Sequence, residues 1–204
     1  MNSLLIATTN PGKLNELRLF LGDLPLTLVS LTDAGITTYA EETGKTFAEN
    51  AILKAKYYAE KSGFPTLADD GGFEIDALHG EPGVKSHRWV YGDRENTDEE
   101  LIAHTMTRLN GTPEGKRGAQ LRLVLALVTP DGKVYTAEEK VRGIIPLAPA
   151  NKVTPGFPYR SLLYLPEINK YYNHDELTPE ETDRYNHRKR ALDKLRPILR
   201  GLLT

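Results

Sequence analysis

Three stretches of the chain carry side chains whose types and spacing suit phosphate and metal chemistry. The first is Thr8-Thr9-Asn10-Pro11-Gly12-Lys13. It follows a short apolar run (residues 4–7) and precedes Leu14, Leu17 and Leu21 at helical spacing, so it reads as strand, tight turn and helix N-terminus. Asn10 suits the N-cap, and Pro11 suits the first helical position, where no N–H is needed. Such a turn presents orphan N–H groups and the positive end of a helix dipole, which together favour an anion. Gly12 would let a ligand approach the backbone, and Lys13 would neutralise phosphate. The stretch is not a Walker loop, which needs more glycines and a closing Lys-Ser/Thr. An ordinary capped turn with a solvated lysine uses the same residues.

The second stretch is acidic. Asp69-Asp70 stands at the end of an apolar segment and is followed by Gly71-Gly72. If the chain stays extended, Asp70, Glu74 and Asp76 share one side while Phe73 and Ile75 point the other way. Carboxylates beside a phosphate site suit Mg²⁺, a hard cation that takes one or two carboxylates plus phosphate oxygens. Glu41-Glu42, in the polar stretch 32–45, would complete such a site from a loop. A turn with solvated acids is the competing reading. In the third stretch, Phe157-Pro158-Tyr159 would either stack on a base or pack in the core. His187-Arg188 precedes Ala191 and Leu195 on one helical face, where a satisfied core-edge histidine is the plainer reading.

The elements that must position these groups are written locally. Thr46-Phe47-Ala48-Glu49 is a capping box, and Gly63 stops the helix it opens; Phe47, Ala51, Ala55, Tyr58 and Ala59 form its apolar stripe, with Asn50 and Lys54 together on a neighbouring face. Residues 98–109 form a further helix with acids in its first turn. Residues 121–129 and 134–145 form an antiparallel hairpin about Pro130-Asp131-Gly132-Lys133. Thr178-Pro179-Glu180-Glu181 opens another helix, and Ala191, Leu192, Leu195 and Leu199 line a last one that Pro197 kinks or interrupts. No repeat or linker divides residues 1–204, so the expectation is one α/β domain with a mixed sheet.

Composition sets the outer limits. With 204 residues, 39% hydrophobic and 26% charged, the chain can bury a core without staples. The absence of cysteine excludes a disulfide scaffold, thiolate metal sites and a cysteine nucleophile. A net charge of −2 gives no general attraction to nucleic acid or anionic membrane. The start, Met1-Asn2-Ser3-Leu4-Leu5-Ile6, has no basic n-region, and no apolar run approaches the ~18 residues of a membrane span. A cytoplasmic protein is expected.

Taken together, the stretches resemble the inosine triphosphate pyrophosphatases, which hydrolyse altered purine nucleoside triphosphates. The likeness is carried by Ala7 through Lys13, by Glu41-Glu42-Thr43-Gly44 with Phe47-Ala48-Glu49-Asn50-Ala51-Ile52-Leu53-Lys54-Ala55, by Ala68-Asp69-Asp70-Gly71-Gly72 with Gly80-Glu81-Pro82-Gly83-Val84-Lys85-Ser86-His87-Arg88, and by Phe157-Pro158-Tyr159, Glu180-Glu181 and His187-Arg188. The resemblance implies an elongated α/β fold with a mixed sheet, two lobes, a nucleotide cleft between them and a homodimer. It implies phosphate binding by Thr8, Thr9, Asn10, Pro11, Gly12 and Lys13. It also implies Mg²⁺ on Glu42 and Asp70, with Asp70 the proton acceptor, and a substrate contact at Gly71. The base would meet Phe157, Pro158, Tyr159, Arg160, His187 and Arg188, the last donating to a 6-keto oxygen. The departures gather on the base side. Pro158 stands where the family has glycine, Arg160 where it has aspartate, and Thr182 where it has a substrate lysine whose charge Arg160 or Arg184 would have to replace. Two readings follow: a Mg²⁺-dependent pyrophosphatase, or a family member that binds a nucleotide or protein partner without catalysis.

Overall fold

A computed structural model describes residues 3–92 and 94–202. Seven strands form one mixed sheet in the order β2-β1-β3-β4-β5-β6-β7. They are β1 (Ser3–Ala7), β2 (Thr27–Ser30), β3 (Thr66–Ile75), β4 (Gly118–Val128), β5 (Val134–Ile144), β6 (Tyr164–Leu165) and β7 (Lys170–Tyr171). β1 pairs in parallel with β2 and β3, whereas β6 pairs antiparallel with β5 and β7. The helices are α1 (Pro11–Leu21), α2 (Phe47–Ser62), α3 (Asp98–Arg108), α4 (Pro179–Tyr185) and α5 (His187–Gly201). Among them none is long and apolar enough to cross a membrane.

The chain divides into two compact units. The first takes the chain up to Asp70, Leu123–Glu139 and the chain from Arg188 onward; the second takes Gly71–Arg122 and Lys140–His187. In the first unit β1 is buried on both faces. Leu4 and Ile6 join a cluster with Leu17, Leu21, Leu125, Leu192 and Leu199, so α1 and α5 cover that side. Leu5 and Ala7 join Phe47, Ala51, Ala55 and Tyr58 of α2 on the other. The period-2 alternation of a strand thus feeds two cores, as in a sheet layered between helices. The second unit packs α3 and the segment around Tyr159 over Phe73, Ile75, Val141 and Ile145.

The local signals hold. Asn10 caps α1 through Lys13 N–H at 3.1 Å with Pro11 at the first turn. Thr46 and Glu49 form the capping box of α2, and Gly63 ends it at φ 70°. Two alternatives left open by the sequence are decided. Asp69-Asp70-Gly71-Gly72 does not turn but lies within β3, a strand of ten residues. α5 is not interrupted either, continuing through Pro197 to Gly201.

Candidate active site

The turn at residues 8–13, both acids and their basic partners all lie in the first unit. The order of β1 and α1 sets the turn. Thr8 Oγ1 accepts from Asn10 N–H at 3.2 Å, and the Asn10 side chain in turn caps Lys13, so the turn is held by its own side chains. Thr9 and Pro11 are exposed, and Gly12 and Lys13 are half-buried. The ammonium of Lys13 reaches back 3.1 Å to Asp69 Oδ2 at the end of the β3 segment in this unit.

Adjacent strand residues face opposite sides, and this separates the two aspartates. Asp69 is buried and shared by two cations: Lys13 and Arg188, whose Nη2 donates at 3.0 Å. Arg188 Nη1 also donates to Glu16 at 2.5 Å, one turn along α1 from Lys13. Burial alone would raise the pKa of Asp69, but Lys13 and Arg188 outweigh it and hold the carboxyl far below its ordinary range. Arg188 is shifted upward by the same acids, which outweigh its own desolvation. This is a closed, charge-balanced cluster.

Asp70 faces α2. Its Oδ1 accepts from Lys54 Nζ at 3.1 Å, and the same ammonium lies 3.2 Å from Glu42 Oε1. Asp70 Oδ2 is buried and has no hydrogen-bond partner. Burial raises the pKa of Asp70 and Glu42 adds to it, against the pull of Lys54 and Lys13. Lys54 is shifted upward by Asp70 and Glu42 despite its burial. An orphaned buried carboxylate oxygen beside a second acid fits a divalent cation. Among the described residues no group of three or more acids or histidines could hold a metal ion, so a cation here would depend on Glu42, Asp70 and oxygens from a ligand. Glu74 and Asp76 do not join these acids. Glu74 is held by Arg122 at 2.6 Å and by Gln120, and Asp76 by Arg142.

One helix positions the Glu42 loop. Asn50 Oδ1 accepts from Gly44 N–H at 2.7 Å, and Tyr58 Oη accepts from Ala40 N–H at 3.3 Å. A Cβ on Gly44 would stand 2.6 Å from Asn50 Oδ1 and 2.7 Å from Glu49 Cβ, so only glycine lets the loop lie this close to α2. Spacing on α2 places Asn50 beside Lys54, but nothing local to the helix shows that both serve the loop before it. Glu16 is likewise invisible as a functional group, because its partner is 172 residues away.

The remaining expected residues belong to the second unit, apart from Arg188. Gly71 follows Asp70 within β3. Phe157 is half-buried, and Pro158, Tyr159 and Arg160 are buried in a 3₁₀ turn, Pro158–Ser161. Pro158 opens that turn, where a missing N–H costs nothing, so proline is accommodated. Tyr159 is a packing residue: its ring stacks on Phe73 at 4.8 Å and its hydroxyl donates to Ser86 O at 2.6 Å. Ser86 itself sits against Gly72, whose Cβ would come within 2.2 Å of Ser86 Oγ. The guanidinium of Arg160 lies over the Phe157 ring at 3.9 Å. His187, the first residue of α5, is buried with its Nδ1 2.9 Å from Tyr172 Oη.

Known proteins share this chain's sequence and fold over nearly its whole length. A family model described as the Ham1 family matches residues 4–198. A dITP/XTP pyrophosphatase from Thermus thermophilus is 44% identical over 93% of this chain and 88% of that one. One from Yersinia pseudotuberculosis is 39% identical over 98% and 99%. Among solved structures, a Ham1 protein from Coxiella burnetii superimposes with a TM-score of 0.82 at 33% identity, covering 98% of each chain.

Proposed function

Because the chain belongs to the Ham1 family, we propose that it hydrolyses altered purine nucleoside triphosphates, such as those of inosine, deoxyinosine and xanthosine, to the monophosphate and pyrophosphate with Mg²⁺. The observation that carries this reading is the Asp70 carboxylate: buried, raised in pKa, one oxygen without a partner, and Lys54 and Glu42 beside it. A purely structural carboxylate at that depth would have both oxygens bonded.

Glu42 and Asp70 are the residues that would hold the cation. Magnesium bound there supplies positive charge against the triphosphate oxygens. The chain's own groups do the rest. Thr8, Thr9, Asn10, Pro11, Gly12 and Lys13 offer the phosphate a helix N-terminus and an ammonium. Asp70 accepts a proton as water attacks the α-phosphorus; the bond to the bridging oxygen breaks, and pyrophosphate leaves with the electron pair. Lys54 holds Asp70 and Glu42 in place and balances their charge. Gly71, without a side chain, lets the substrate meet the backbone next to Asp70. Asp69 acts through position, fixing Lys13 by one contact and Arg188 by another.

Phe157, Pro158, Tyr159, Arg160, His187 and Arg188 are assigned to the base side on the family likeness. Phe157 is half-buried and is the stronger candidate for direct contact, whereas Pro158, Tyr159, Arg160, His187 and Arg188 are all buried. The same likeness supports a homodimer and a cytoplasmic location. The test is a panel of inosine, deoxyinosine, xanthosine and the common nucleoside triphosphates, each with Mg²⁺ and with a chelator. Metal-dependent pyrophosphate release, fastest with the 6-keto altered purines, is expected. Tight nucleotide binding with no turnover of any member would overturn the proposal in favour of a binding protein.

A further inference from the structure

The two ends of α3 hold the two ends of the segment 145–156, which leads from β5 to Phe157. At the C-terminal end the link is the buried Arg117. Its guanidinium donates to Leu109 O, just past the helix, at 3.0 Å, and to Ile145 O and Pro146 O at 2.8 and 3.0 Å. At the N-terminal end the link is Asp98, the first helical residue, whose Oδ2 accepts from Gly156 N–H at 2.7 Å. Gly156 stands at φ 78°, a backbone conformation that favours glycine, and the next N–H, that of Phe157, turns back to Thr154 O at 2.9 Å. The carboxylate thus grips the chain one residue before the ring, at the bend that sets the ring's direction. The helix is capped without it. Thr97 and Glu100 close the capping box at 3.2 and 2.9 Å, and Glu100 also pairs with Arg94 at 2.6 Å. The half-buried Asp98 carboxylate turns instead to a loop 58 residues away.

We propose that Asp98 is a positioning residue for Phe157, holding the bend at Gly156 so that the ring keeps a fixed place. Arg160 adds to the mount from the turn that follows, its guanidinium lying over the Phe157 ring at 3.9 Å. One bond fixes the backbone before the ring, and one cation fixes a face of the ring itself. A half-buried ring held in this way is preorganised for stacking on a planar base, so little ordering remains to oppose binding. That consequence rests on the reading above that Phe157 contacts the base.

The test is ¹⁹F NMR of the full chain with fluorinated phenylalanine at its five positions, the Phe157 signal being identified by its loss in Phe157→Leu. In Asp98→Ala the Phe157 signal is expected to shift or broaden, while those of Phe20, Phe47 and Phe64 stay in place and report an intact fold. Asp98→Asn is expected to return it toward the wild-type position, because the amide oxygen still accepts. If the alanine variant does not fold, Asp98→Ser replaces it, since serine suits a helix start but is too short to reach Gly156. An unmoved Phe157 signal in a folded variant that lacks the acceptor overturns the proposal, as does an asparagine variant that behaves like alanine. In Asp98→Ala the KM for inosine triphosphate is expected to rise about tenfold with kcat little changed. In a Phe157→Leu background the same substitution is expected to add nothing. A full further rise there overturns the proposal, because Asp98 would then act by another route. A moved ring with an unchanged KM upholds the role of Asp98 and overturns instead the base contact of Phe157.

Discussion

Asp69 and Asp70 are neighbours in sequence and opposites in electrostatics. Asp69 is stabilised in its charged form by Lys13 and Arg188, while burial and Glu42 disfavour the charge on Asp70. The sign of each shift gives a separate expectation. A carboxyl whose folded pKa is depressed adds stability above its unfolded value of ~3.9, and that stability is lost as pH falls through the folded value. Asp69→Asn should therefore destabilise the protein at pH 7, by ~3–5 kcal/mol because it leaves a buried cation uncompensated, and should flatten the acid side of the stability profile. Urea unfolding at several pH values checks both. A raised pKa reverses the sign: at pH 7 the fold holds Asp70 charged at a cost. Asp70→Asn should remove ~10²-fold or more of the activity while the metal-free protein melts at the same or a higher temperature. A folded variant with near wild-type turnover would move the proton acceptor elsewhere. The sequence marks both acids as candidates, since two adjacent carboxylates before two glycines are visible in one stretch. It does not divide their labour, because Arg188 stands 119 residues from Asp69.

Elements were legible wherever their signals are local. The caps at Asn10, Thr46, Thr97 and Thr178 each accept from a backbone N–H three residues on, a distance within one helical turn. The run of β3 through Gly71-Gly72 was one of two open readings, because those glycines also suit a turn and their strand pairing depends on distant residues. α2 shows how an element serves a site: Lys54 faces the acids, while Asn50 and Tyr58 tie down the loop that carries Glu42. Asn50→Ala removes the acceptor for Gly44 N–H without touching either acid. The Mg²⁺ concentration for half-maximal activity should rise roughly tenfold or more, the usual effect of losing a residue that orients a metal ligand. The variant's Mg²⁺ titration, set beside its melting temperature, separates loop placement from general destabilisation; an unchanged titration would show that Gly44 holds the loop unaided.

At the scale of the whole molecule, the α/β class was readable from the buried four-residue run at 4–7 and the amphipathic helices that follow it. Leu4 and Ile6 feed one core and Leu5 and Ala7 the other, which is what a continuous apolar run in a strand implies. The division into two units was not readable from composition, since each unit is assembled from separated stretches of chain and no linker marks the boundary. The candidate site was readable as its parts: a capped turn with a lysine, paired acids and a glutamate loop. The buried ion network that fixes those parts was not, because pairing among charged residues follows from the fold. All of these residues converge on one chemical claim, attack of water at the α-phosphorus. Hydrolysis of inosine triphosphate in ¹⁸O-labelled water with Mg²⁺ tests it most directly, with products separated and weighed by mass spectrometry. The expected result is inosine monophosphate carrying one ¹⁸O, with unlabelled pyrophosphate. Label in pyrophosphate, or inosine diphosphate with labelled orthophosphate, would contradict it.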